Sequence, residues 1–145
     1  MNQGIKSEEL TKLEVKDVKL REGTIEIMGS RKSNGRVMEL EAHQIMDMHR
    51  YVMEERNEIL RIKDQETDQL FIGSSNLMKQ LKNINPRVES IHQIRASVIT
   101  KWLKVHNLRR VQYLAGHRYI SSTESYQEND MEGLIEEVNQ YHPLG

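Results

Sequence analysis

Apolar residues recur along this chain in two different periods, and the changes of period divide it into elements. Ser7 reads as an N-cap, with Glu8 and Glu9 at the positive end of a short helix that runs to about Leu13. The loop around Gly4 to Lys6 leads into it. Apolar and polar residues then alternate in "TIEIM" and "RVMEL", either side of "GSRKSNG". Gly29, Asn34 and Gly35 are expected to take the positive φ of a hairpin loop there, which sets Lys32 near the tip of a β-hairpin. From about Glu41 to Ile62 the period lengthens. Ile45, Met48, Val52, Ile59 and Ile62 mostly recur at three, four or seven, which predicts one long amphipathic helix with a polar outer face. "QLFIG" is expected to be a short extended piece.

Residues 75 to 83 read as another short helix, ended by Asn85-Pro86 because the residue before proline avoids helical angles. A long helix is expected from about Val88 to Val105, stopped at His106-Asn107 with Asn107 in the left-handed conformation. The next, from about Leu108 to Leu114, ends at Ala115-Gly116 and leaves His117 just past its C-terminus. "SSTESYQ" holds Tyr126 in or near a short helical turn, and "MEGLIEEVNQYH" reads as a last amphipathic helix, from about Asp130 to Tyr141. Trp102, Ile99, Leu103 and the methionines are assigned to the core. Helix, hairpin, then helices make an α+β, mostly helical domain.

At 145 residues the chain is long enough for one domain with a core and short for two. It has no cysteine, which excludes disulfides and thiolate zinc sites and suits a reducing cytosol. No apolar run approaches the roughly 18 residues of a membrane span, and residues 1 to 20 lack a signal-peptide core. A soluble, cytoplasmic protein with no membrane partner is expected. The net charge of −1 argues against a nucleic-acid binder, yet its distribution argues for one. Residues 79 to 118 hold nine lysines and arginines against one acid, Glu89, so that segment carries +8 and the remainder −9. A basic face is expected, with the acidic stretch from Glu39 to Asp68 and the tail after Glu124 turned away from DNA or toward a basic partner. His43, His49, His106 and His142 lack metal-ligand spacing, so neither metal nor cofactor is assigned.

Four side chains carry candidate chemistry: His92 and Arg95 in "HQIR", His117 in "LAGH", and Tyr126. Chemistry on a phosphodiester without a metal needs donors on the non-bridging oxygens, an acid for the leaving alkoxide and a nucleophile. A guanidinium offers two parallel donors, an imidazole donates or moves a proton near neutral pH, and a phenol can form a phosphotyrosyl ester. His92 and Arg95, three apart on a helix, share a face and can reach one phosphate.

At these residues the chain resembles the tyrosine recombinase (phage-type integrase) family, with its His-x-x-Arg, its Leu-Gly-His roughly twenty residues on, and its nucleophilic tyrosine. Arg95 to His117 is 22 residues and His117 to Tyr126 is nine. "QGIKSEELTKLEVKDV" is similar to the family's first motif, with Gly4, Glu9, Leu10, Leu13 and Asp17 in place. "TIEIMGSRKSNGRVMEL" is similar to its β-hairpin, whose catalytic lysine falls on Lys32, although Arg31 and Arg36 stand close enough to share or take the role. One residue departs. Lys6 occupies the position of the family's first catalytic arginine, which keeps the charge and loses the two-pronged donor.

The resemblance implies an integrase-type catalytic domain, a small β-hairpin or sheet packed on a helical core, filling 1–145 as a fragment without the N-terminal core-binding domain. It implies a site-specific recombinase acting on double-stranded DNA through a 3′-phosphotyrosyl intermediate. Tyr126 would be the nucleophile, Arg95, Lys6 and His117 charge-stabilising donors, His92 a proton or phosphate contact, and Lys32 the acid to the leaving 5′-oxygen. It further implies a tetrameric synapse, with residues 127–145 against a neighbouring protomer and the isolated fragment a monomer, and residence in a bacterial mobile element, nucleoid-associated in the cytoplasm. Lys6 supports the rival reading, a catalytically impaired domain that binds DNA or regulates. A related topoisomerase fits less well, because the DNA-encircling regions are absent.

Overall fold

The structure, a computed structural model, describes residues 3–73 and 76–129. Helix α1 (Ser7–Lys12) passes through a 3-10 turn at Val15–Asp17 into a three-stranded antiparallel sheet, β1 (Val18–Lys19), β2 (Thr24–Ile27) and β3 (Arg36–Glu39), in that order. Helical backbone then runs unbroken from Ala42 to Lys63, as α2 (Ala42–Arg50), a π turn (Tyr51–Glu55) and α3 (Arg56–Lys63). α4 (Leu77–Ile84), α5 (Ile91–Val105) and α6 (Leu108–Ala115) follow, and α7 covers 121–129. The helix expected after Asp130 lies outside the described residues.

The sheet follows the alternation in the sequence. Ile25 and Ile27 turn inward from β2, and across the ladder Ile25 pairs with Met38 and Ile27 with Arg36. Ile25, Ile27 and Met38 form a core with Leu13 and Leu70, over which Leu10, Tyr51, Val52, Phe71 and Trp102 pack. A second cluster of Ile99, Val111 and Ala115 joins α5 to α6. Trp102 touches both, so the sheet layer and the helical layer share one side chain.

Several local expectations are corrected. Lys6, not Ser7, is the N-cap of α1, because Glu9 turns back and accepts the Lys6 backbone N–H at 2.9 Å. Gly29, Asn34 and Gly35 have ordinary negative-φ or extended backbone. The loop is long and closed by a bridge between Ser30 and Ser33, so no left-handed turn is needed. Glycine serves close approach instead, since a Cβ on Gly29 would lie 2.8 Å from the Gly35 nitrogen. The long helix contains the π turn, whose extra residue rotates the later stripe, and Ile62 ends 74% exposed. Met46 and Met53 stand on its outer face, and Met28 is exposed too, so of the core methionines expected Met38 alone is among the buried hydrophobics. α5 starts at Ile91 after the Ser90 cap, later than Val88. Asn107 is extended, not left-handed, because it caps the helix that follows, its side chain accepting from the Arg110 N–H at 2.9 Å. In "QLFIG", Gln69 forms an isolated bridge to Glu14.

Candidate active site

Six side chains singled out from sequence, Lys6, Lys32, His92, Arg95, His117 and Tyr126, line one cleft of about 820 Å³. They arrive from five places: the start of α1, the β2–β3 loop, the first turns of α5, the second residue after α6, and α7. Each is aimed by local structure. α6 ends on Gly116 at φ 66°, a left-handed turn that sends His117 back under the cleft. α5 carries His92 and Arg95 one turn apart, with His92 exposed and Arg95 buried. Tyr126 packs against the cluster of Ile99, Val111 and Ala115 and stacks on His117, with ring centroids 5.7 Å apart and planes 13° from parallel.

Arg95 is the centre of the site. Its Nη1 donates to the Gly4 carbonyl, and its Nη2 to the Ala115 carbonyl at 2.6 Å and to His117 Nε2 at 3.3 Å. A guanidinium only donates, so Nε2 of His117 accepts and its proton sits on Nδ1, which donates to Thr123 Oγ1 at 2.9 Å. Burial, then the positive charges of Arg95, Lys6 and Arg36, push the His117 pKa down to about 4. Burial and Arg36 likewise lower the Arg95 pKa, against Glu9 and the Tyr126 phenol, with which Arg95 interacts. Burial and Arg95 lower that of Lys6, with Glu9 acting the other way. Cations are thus crowded where an anion would relieve all of them.

Beneath the cleft lies a frame that the sequence reading did not find. Arg36 and Glu9 form a bidentate pair, both bonds at 2.9 Å, with side chains almost wholly out of solvent. Burial alone would raise the Glu9 carboxyl, but the bonds from Arg36 and the Lys6 backbone outweigh it and hold it below the usual carboxylate range. Arg36 lies against Gly116, where an added Cβ would meet its Nη1 at 2.5 Å. The pair therefore touches the Lys6 turn, the hairpin and the His117 segment at once. Arg36 is thereby removed from the alternatives to Lys32, whereas Arg31 and Lys32 are both exposed and line the cleft. An arginine at an inward strand position facing Ile27, with a glutamate one turn into a helix, is the signal that could have found the pair. Thr123 had no such signal, because its contact with His117 spans a loop.

The expected basic face is only partly this site. Of the nine cations between residues 79 and 118, Arg95 and Arg118 line the cleft, and its other cations, Lys6, Lys12, Arg31 and Lys32, come from the N-terminal third.

A mixed helical domain with a small sheet gathers cations around a phenol stacked on a neutral imidazole, the kinds of group that chemistry on a phosphate ester requires. A profile of the phage integrase family matches residues 1–132. The chain is 27% identical over 153 aligned residues to the tyrosine recombinase XerC of Vibrio cholerae serotype O1, covering 97% of this chain and 48% of that protein. It superimposes on the XerA recombinase with a TM-score of 0.70 at 20% identity, over 99% of this chain and 55% of that one. On the XerH site-specific recombinase, solved bound to difH substrate before cleavage, the TM-score is 0.67 at 27% identity, over 86% of this chain and 39% of that one. The chain belongs to the phage integrase family, the tyrosine recombinases, and has the fold of their catalytic domain. It spans about half the length of the curated relatives it matches.

Proposed function

We propose that the chain is the catalytic domain of a site-specific DNA recombinase that cuts and rejoins double-stranded DNA through a 3′-phosphotyrosyl intermediate. The carrying observation is the convergence of Lys6, Lys32, His92, Arg95, His117 and Tyr126 on one cleft. The Tyr126 oxygen attacks the scissile phosphorus, the bond from phosphorus to the 5′-oxygen breaks, and Lys32 gives that oxygen its proton. Arg95 and Lys6 hold the non-bridging oxygens, with His117 donating once the phosphate's charge has restored its proton. The phenol proton passes to His92, exposed at the mouth, which can also contact the phosphate. The second strand reverses these steps, so no external energy source is consumed. We infer a tetramer on two duplexes and a cytoplasmic, nucleoid-associated location in bacteria, as the family resemblance implies.

Lys6 is the one observation on the side of an impaired, DNA-binding domain. Its ammonium is a point charge where a fork would hold two oxygens in a plane, and loss of such a donor costs on the order of a hundredfold. The two readings separate in a suicide-substrate assay on the full-length protein, using nicked duplex from the DNA flanking its gene and scoring a denaturant-resistant protein–DNA band. Wild type is expected to give a band that Tyr126→Phe abolishes and Lys6→Arg strengthens. A band from the Lys6→Arg protein alone would establish the impaired reading, and persistence in Tyr126→Phe would overturn the nucleophile.

A further inference from the structure

We propose that Arg118 is a latch that holds the Lys32-bearing loop against the His117 segment, and is thereby a positioning residue for Lys32. This rests on the reading of Lys32 as the acid for the leaving oxygen. The loop leaves the sheet after Ile27 and returns at Arg36. Its far limb is tied to the chain around His117 by the Asn34 N–H, which donates to the Gly116 carbonyl at 3.0 Å, and the Asn34 amide, which reaches the His117 carbonyl at 3.5 Å. The near limb, which carries Lys32, is built differently. Ser30 and Ser33 bridge one another through backbone and hydroxyls, and the Lys32 N–H donates to Ser30 Oγ at 3.2 Å.

Lys32 thus leans on Ser30, which is held on one side by Ser33, itself 2% exposed and in contact with the Glu9 carboxylate, and on the other side from outside the hairpin. Arg118 Nη2 donates to the Ser30 carbonyl at 3.0 Å, the single hydrogen bond among the described residues that reaches 28–32 from outside the hairpin. No apolar anchor substitutes for it, because Met28 at the foot of this limb is exposed. Arg118 is itself steadied, its carbonyl accepting from the Gln112 amide at 3.3 Å. It directly follows His117 in the chain. The latch thus ties the position of the acid to that of a phosphate-facing donor, across 88 residues of sequence.

Two measurements on the full-length protein test this. Amide hydrogen exchange at Ser30 and Lys32 is expected to rise roughly three- to tenfold in Arg118→Gln, the loss of one hydrogen bond, with the melting temperature held and Arg118→Lys in between. Unchanged exchange would overturn the latch. Single-turnover cleavage then compares nicked duplexes whose 5′-bridging atom is oxygen or sulfur, a thiolate leaving without an acid. Arg118→Gln is expected to be about tenfold slow on oxygen and at the wild-type rate on sulfur, as a weaker copy of Lys32→Ala. Equal loss on both substrates would make Arg118 a phosphate contact and overturn the positioning role. A Lys32→Ala defect that sulfur does not relieve would overturn the assignment of Lys32 alone, the exchange result then deciding the latch.

Discussion

His117 is held neutral and in one tautomer from both sides, by Arg95 at Nε2 and Thr123 at Nδ1. In the unfolded chain its proton leaves near the ordinary 6.5, and in the folded chain not until about 4. Between those values the unfolded state binds more protons, so stability falls as the medium is acidified, at about 1.4 kcal/mol per pH unit. Urea denaturation at pH 7, 5.5 and 4.5 should show this slope, and His117→Gln should flatten it. The Glu9 contribution belongs to a lower window, lost only below the ordinary carboxylate value, since its folded pKa is depressed. Inorganic phosphate in the cleft should move the imidazole titration, followed by NMR, upward toward neutrality. Removing the partner at Nδ1 by Thr123→Val should cost about 1–3 kcal/mol, the penalty for a buried donor left unpaired, and a proton resonance at Nδ1 would report the lost tautomer preference.

The link between α6 and His117 concentrates two constraints on one residue. Gly116 has φ 66°, and a Cβ there would press on Arg36, so Gly116→Ala should cost at least about 1 kcal/mol for the backbone alone, with displacement of Arg36 adding to it. Thermal melts with and without the compensating Arg36→Lys would separate the two shares. This element was legible in the sequence because a helix stop, a glycine and a histidine stand in immediate succession. So were β2 and β3, whose alternation is strict, and the shared face of His92 and Arg95. β1 was not, being two residues long and defined by its partner. The π turn was hidden because the stripe still repeats at Ile45, Met48, Val52 and Ile59, and only the exposed Ile62 betrays the added residue. Asn107 illustrates a different limit: asparagine suits both the end of one helix and the start of the next, and the Arg110 N–H decides between them. The six cleft residues were found as a set, but their frame was not, because an ion pair between Glu9 and Arg36 leaves no periodic trace.

Across the molecule, charge rather than apolar area addresses the proposed partner. Arg31 is exposed at the cleft. If it neutralises one phosphate, Arg31→Gln should shallow the slope of log affinity against log salt by about one, measured by fluorescence anisotropy from 50 to 200 mM salt. An unchanged slope would place Arg31 off the DNA.

The buried pair of Glu9 and Arg36 also governs when the site exists at all. One partner lies near the start of the chain, the other in the hairpin, and both wait for Gly116 to close against them. During synthesis, a chain that has exposed Lys6, Lys32, His92 and Arg95 has neither the His117 imidazole nor the Tyr126 phenol beside them until residues 108–129 have emerged and packed. On the proposed reading of Tyr126 as nucleophile, a nascent or truncated product therefore cannot nick DNA.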